Sequence, residues 1–168
     1  MSSTHAETPS RAAEETRPRR YGWGLGPAQG AAVVAGISFL LLGIGGFVPG
    51  VTKDLGGLAF AGPGSNALLL GVFQTSVLMN VVFILLGLAG LGAAGKSLPS
   101  TLYLFGAGSA LFTLWLYGAA SGNIDNFWNF LPTNSADEGL RFSLGLLLYL
   151  AGAATSQLAM KGTRYDEG

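Results

Sequence analysis

The chain has 168 residues, about half of them apolar, with 27 glycines, no cysteine and nine acidic against nine basic side chains. The lack of cysteine excludes a disulfide framework, a thiolate nucleophile and an iron–sulfur or cysteine zinc site. Zero net charge hides segregation: Arg11, Arg17, Arg19, Arg20, Lys96, Lys161 and Arg164 fall in the two tails or a middle loop, leaving long windows free of ions, as hydrocarbon requires.

Residues 1–24 are polar, poor in aromatics and mixed in charge. That composition cannot repay the entropy of ordering and predicts a disordered cytoplasmic tail. The apolar run that follows is too long for the roughly 7–15 residues of a signal peptide, so a retained first helix is expected. The spacing of apolar runs predicts a transmembrane domain over 28–160 with spans at 28–48, 76–94, 100–120 and 135–160, each near the ~20 residues that cross a bilayer. A short cytoplasmic tail, 161–168, ends the chain. The fold class is all-α, an integral membrane four-helix bundle. Bases concentrate at the tails and Lys96, while Lys53, Asp54, Asp125, Asp137 and Glu138 lie towards the other side, so both termini are expected in the cytoplasm of a multi-pass cell-membrane protein.

Pro49 and Gly50 close the first span and open a long loop to Thr75. Its apolar stretch, Ala67 to Phe73, is too short to cross and predicts an interfacial turn or short helix. The second loop, Gly122 to Thr133, mixes Asn and Asp with Phe127, Trp128 and Phe130. Such rings form an aromatic belt at headgroup level or a platform for a ligand or partner.

Residues 73–88 align without gaps on residues 131–146, matching Thr75 with Thr133, Leu86 with Leu144, Gly87 with Gly145 and Leu88 with Leu146; Gly36 and Gly108 carry a weaker echo. The bundle therefore reads as two tandem helical hairpins. Ala28, Ala32 and Gly36, with Gly90 and Ala94, let helices approach closely, and packing within the chain is the expected use.

The candidate polar positions are Asn80, Asp137, Arg141 and Trp128. Ser135 and Glu138 have capping-box spacing at the start of the fourth span. Arg141 follows Asp137 by one turn, where a guanidinium in lipid seeks a carboxylate or the surface. Asn80 sits at the equivalent level of the second span and should bond to another helix; Gln74, Thr75, Thr133 and Asn134 read as cap or turn residues. The sole histidine, His5, lies in the tail, and the Gly22–Gly30 run follows no strand, so neither a catalytic triad, a haem ligand nor a dinucleotide loop is supported. No metal and no cofactor are expected. The four tail arginines suit orientation or anionic lipid better than nucleic acid. The partners anticipated are membrane lipids and a membrane protein, or a second copy of the chain.

The block from Phe60 to Leu91, then Leu116–Gly118, then Asn129–Leu146, resembles the bacterial membrane proteins of domain of unknown function family 4383 over Gln29 to Gly152. The resemblance implies four spans and an unassigned biochemical role. It also implies histidines in relatives where this chain has Pro63, Met79, Phe83 and Arg141, and agrees at Asn80 and Asp137. Any metal, haem or proton chemistry resting on those histidines is expected to be missing here. The function expected is a non-catalytic accessory or scaffold component of the membrane. The alternative is a small carrier, channel or lipid-binding protein with a site between spans two and four.

Overall fold

A computed structural model describes residues 25–121, 130–131 and 134–164, with side chains to Gln157. The expectations for both extreme tails and for Phe127, Trp128 and Thr133 lie outside the described residues. Four helices follow one another: α1 (Pro27–Gly45), α2 (Val77–Ala93), α3 (Ser97–Ser121) and α4 (Ser135–Arg164). Three of them are long and apolar enough to cross a membrane, α4 through its Ser135–Gln157 part, and α2 is a shorter apolar helix. Rows of exposed leucine, isoleucine, valine and phenylalanine cover their outer faces, including Val34, Leu41, Leu85, Leu102 and Leu147. Such a surface belongs in lipid, and the protein is a transmembrane four-helix bundle.

Proline starts α1 where its missing donor costs nothing. The helix stops three residues before the expected Val48. Gly46, Phe47 and Val48 instead continue in tight turns, and the Thr52 hydroxyl donates to the Gly45 carbonyl at 2.9 Å. At the far end, α4 runs four residues past the expected Met160.

Between α1 and α2 the chain builds a small cap, where β1 (Thr52–Lys53) pairs antiparallel with β2 (Leu68–Leu69), and β2 with β3 (Phe73–Gln74). The run expected to form an interfacial turn or short helix is thus a β-hairpin. Leu70 and Gly71 both have positive φ, and Val72 N–H closes the turn on the Leu69 carbonyl at 3.2 Å. Two left-handed residues match the twist of paired strands, which a helical continuation of Leu68–Leu69 would forbid.

The helices pair as the internal repeat predicts: α1 packs chiefly on α2 and α3 chiefly on α4. Each hairpin crosses at a glycine pair. A Cβ on Gly87 would lie 2.8 Å from the Gly36 carbonyl oxygen, and one on Gly108 would lie 3.2 Å from that of Gly145. These are the aligned positions of the repeat, so the two hairpins approach through the same device. Ala28, Ala32 and Gly36 are buried within the bundle. Gly90 receives the Tyr103 ring, and Gly43 receives the start of α2's second turn at Asn80 and Ile84. Between the hairpins lies an apolar core of Phe39, Met79, Phe83, Leu104, Leu111 and Leu148, with Phe39 stacked on Phe83 at 5.9 Å.

Substituting Gly87 by alanine places a methyl 2.6 Å from Leu40 Cγ and against α1 backbone. The helices must part, and thermal unfolding in detergent is expected to show a loss of about 1–3 kcal/mol. Gly92→Ala, where nothing lies within 4 Å, should leave the midpoint unchanged or slightly raised.

Candidate functional site

Helix starts govern the polar chemistry at the capped end of the bundle, because the first N–H groups of a helix have no partner within it. On α2 these donors are met from three directions. Val77 and Leu78 N–H donate to the carbonyls of Ala59 and Phe60 at 3.1 and 2.9 Å, and Met79 N–H donates to Ser76 Oγ at 3.2 Å. The cap residue is therefore Ser76, next to the expected Gln74 and Thr75. On α4 the cap is Asn134, whose Oδ1 accepts from Asp137 N–H at 2.9 Å while Asp137 Oδ2 accepts from Asn134 N–H at 3.1 Å. The reciprocal box thus joins Asn134 and Asp137, one residue earlier than the expected Ser135 and Glu138. Ser135 is exposed on the first turn, whereas the amide of Asn134 also donates to the Val72 carbonyl at 3.0 Å and ties α4 to the hairpin.

The cap is sewn by Gln74 and Thr75, expected as cap or turn residues, and by Ser65, which the sequence did not single out. Ser65 is fully buried, donating to the Thr75 carbonyl and accepting from Ala59 N–H at 3.2 Å. Thr75 in turn donates through its hydroxyl to Asn80 Oδ1. The Gln74 amide donates to the carbonyls of Pro63 and Ser65. No residue type in the sequence marks Ser65, since its partners are backbone groups brought together only by the folded loop.

Asn80 is wholly buried and lies on Gly46, where any Cβ would meet its amide at 2.1 Å. The expected bond to another helix is replaced by one to Thr75 at the helix entrance, and its Nδ2 has no partner among the described residues. Asp137 and Arg141 are 3% and 2% exposed. Their charges interact, with Glu138 a weaker contributor at Arg141. Trp128, the fourth candidate, lies outside the described residues. Phe130 of the same loop stacks on Tyr117 at 4.6 Å, and its carbonyl accepts from Gly62 N–H at 2.8 Å.

Asp137 and Arg141 share a cavity with Gln74, Thr75, Met79 and Phe83. Asn80 stands beyond it, on the side of α1. The cavity holds only about 10 Å³, at the threshold for a single water. Three of the four positions where the resemblance implies histidine in relatives, Met79, Phe83 and Arg141, line this space, and the fourth, Pro63, is bonded to Gln74 in its wall. In this chain a thioether, a phenyl ring and a guanidinium fill the spot.

The chain belongs to the family described as Domain of unknown function (DUF4383), which matches residues 29–154, the greater part of its length. No curated protein and no solved structure matches it.

Replacing Asp137 by alanine removes both the helix cap and the carboxylate beside a buried guanidinium. A destabilisation of about 3–5 kcal/mol is expected in denaturant unfolding from mixed micelles. Asp137→Leu combined with Arg141→Met should recover most of that loss, because an apolar replacement of both charges leaves neither stranded.

Proposed function

We propose that this membrane protein is a non-catalytic accessory or scaffold component of a bacterial cytoplasmic membrane, set with both termini in the cytoplasm and its cap outside. The observation that carries this reading is the state of its polar cluster. Asp137 is engaged by Asn134 and the Asn80 side-chain oxygen by Thr75, with the Asn80 Nδ2 left without a partner among the described residues, and the cavity beside Asp137 and Arg141 has room for no more than a water. Buried polar groups bonded in this way fix a fold more readily than they turn over a substrate.

The positions of Met79 and Phe83 support the same reading. If relatives use histidines there for metal, haem or proton chemistry, this chain has exchanged that chemistry for packing. A carrier or channel with its site between α2 and α4 is the competing proposal, and it requires the same cavity to open by more than an order of magnitude to the ~300 Å³ at which ligand pockets begin.

Extraction of the natively expressed protein in a mild detergent, followed by size fractionation and mass spectrometry, separates the two. A stoichiometric membrane-protein partner, retained when Asn80→Ala or Arg141→Ala folds normally, is the expected result. Recovery of the protein alone, with solute flux in reconstituted vesicles that either substitution abolishes, would overturn the proposal.

A further inference from the structure

The seam between the two hairpins is closed on one side by α1 against α3, whereas α1 and α4 touch little. There the walls are small or aliphatic, and a cavity of about 400 Å³ opens between Ala31, Ala35, Phe39, Leu144 and Leu148. A second cavity, of about 590 Å³, continues beside α1 towards the cap, bounded by Leu41, Ile44, Val51, Leu69 and Leu70. Ser38 and Leu42 line both, so the two form one trough along α1. From Gly30 to Gly45 that helix rises roughly 22 Å, more than the ~15 Å depth of one hydrocarbon leaflet.

The mouth of the trough is built by the β-hairpin. Leu70 holds a left-handed backbone (φ 55°) and is 61% exposed, yet it shares the trough wall with Leu41 and Ile44 of α1. The hairpin tip therefore reaches the level of the lipid-facing helix surface. Across the β1–β2 ladder Lys53 pairs with Leu68, and its ammonium lies over the turn, 3.1 Å from where a Cβ on Gly71 would stand. Glycine at 71 leaves the lysine this place. Lys53 is exposed, as is Asp54 after it, and the lysine ammonium lies over the turn next to Leu70, the residue by which the hairpin enters the trough's almost wholly hydrocarbon wall.

An apolar trough long enough to run the depth of a leaflet, with a lysine ammonium over the turn beside its cap-side end, matches the outline of a glycerophospholipid. We infer that the α1 trough binds one phospholipid of the cap-side leaflet, an acyl chain lying along Ser38–Leu42 and the phosphate held by Lys53. This site is distinct from the Asp137–Arg141 cavity and stands whether or not the accessory role is correct.

The test uses the full chain in phosphatidylcholine nanodiscs containing a minor fraction of phosphatidylglycerol with a photoreactive acyl chain, and crosslinks are mapped by mass spectrometry. Crosslinks should concentrate on Leu41, Leu42, Val51 and Leu70. Lys53→Gln should lower them about fivefold, the factor for one lysine near a membrane surface, and Lys53→Arg should restore them. Ser38→Phe, which fills the trough from an exposed position, should remove those at Leu42 while thermal unfolding stays unchanged. Equal labelling of the outward residues Val81, Leu85 and Leu88 on α2, or crosslinking at Leu70 unaltered by Lys53→Gln, would mean annular lipid only and overturn the site.

Discussion

A helix that begins in or near hydrocarbon has donors that water cannot reach, and this structure is organised around meeting them. The demand is heaviest at α2, whose entrance is buried. It is answered by recruiting a separate stretch of loop: Ala59 and Phe60 lend carbonyls, Ser76 lends its hydroxyl, and Ser65 holds the loop to Thr75. The β-hairpin follows from this stitching, because carrying the chain from Gly45 out to Ala59 and back to Ser76 leaves backbone that must pair with itself. The cap is thus less an appendage than the N-terminal completion of α2. Asn134 extends the same bonding to the second hairpin through the Val72 carbonyl.

At mid-membrane a different constraint takes over. Burial of apolar surface offers little between helices already surrounded by lipid, so close contact must come from shape. The chain meets this with glycine at corresponding points of both hairpins, Gly36 with Gly87 and Gly108 with Gly145. The two crossings are not equally tight. The first is walled by backbone on both sides, whereas the second leaves 3.4 Å above Gly145 and fills the space around it with Phe105, Phe112 and Tyr149 rings. One hairpin closes by backbone approach and the other by aromatic packing around a looser crossing. Closing α1 onto α2 so tightly also turns its remaining small residues, Gly30, Ala31 and Ala35, to the open α4 side, which is why the trough forms there.

The bundle was legible because its signal is crude and robust: apolar runs of spanning length and charges confined to their ends. The repeat was legible through Gly87 and Gly145, and the structure gives those letters a physical meaning. What could not be read was the cap, since its strands are two residues each and its anchors are backbone carbonyls. At α2 the cap is Ser76, one position after the expected Thr75; at α4 Asn134 is the cap or turn residue expected, but the reciprocal box joins it to Asp137, one position before the expected Ser135 and Glu138. Ser, Thr and Asn compete closely at that position, and only the entry angle of the loop selects among them. Asp137 and Arg141 were recognisable as a buried pair of opposite charges from spacing alone, but the small volume around them was not, because it is set by Met79 and Phe83 from the other hairpin.

That last relation has a geometric cause. In the repeat alignment Met79 corresponds to Asp137 and Phe83 to Arg141, and all four line one cavity. Equivalent positions of two like hairpins meet only close to the axis that relates them, so this cavity marks the pseudo-twofold axis at the capped end of the bundle. On such an axis a symmetric choice of ions would set arginine against arginine and aspartate against aspartate. The chain avoids that by dividing the labour, with one hairpin supplying both charges and the other an apolar lid over them. Shielded by Phe83 and Met79, opposite charges on one helix face attract more strongly than they would in water, but each then depends on the other being present. The same asymmetry keeps the cavity small, since the lid over the pair leaves only about 10 Å³ there. Changing Met79 and Phe83 to smaller polar residues would therefore open space on this axis without altering a helix crossing, because neither residue lies at the Gly36–Gly87 or Gly108–Gly145 contacts.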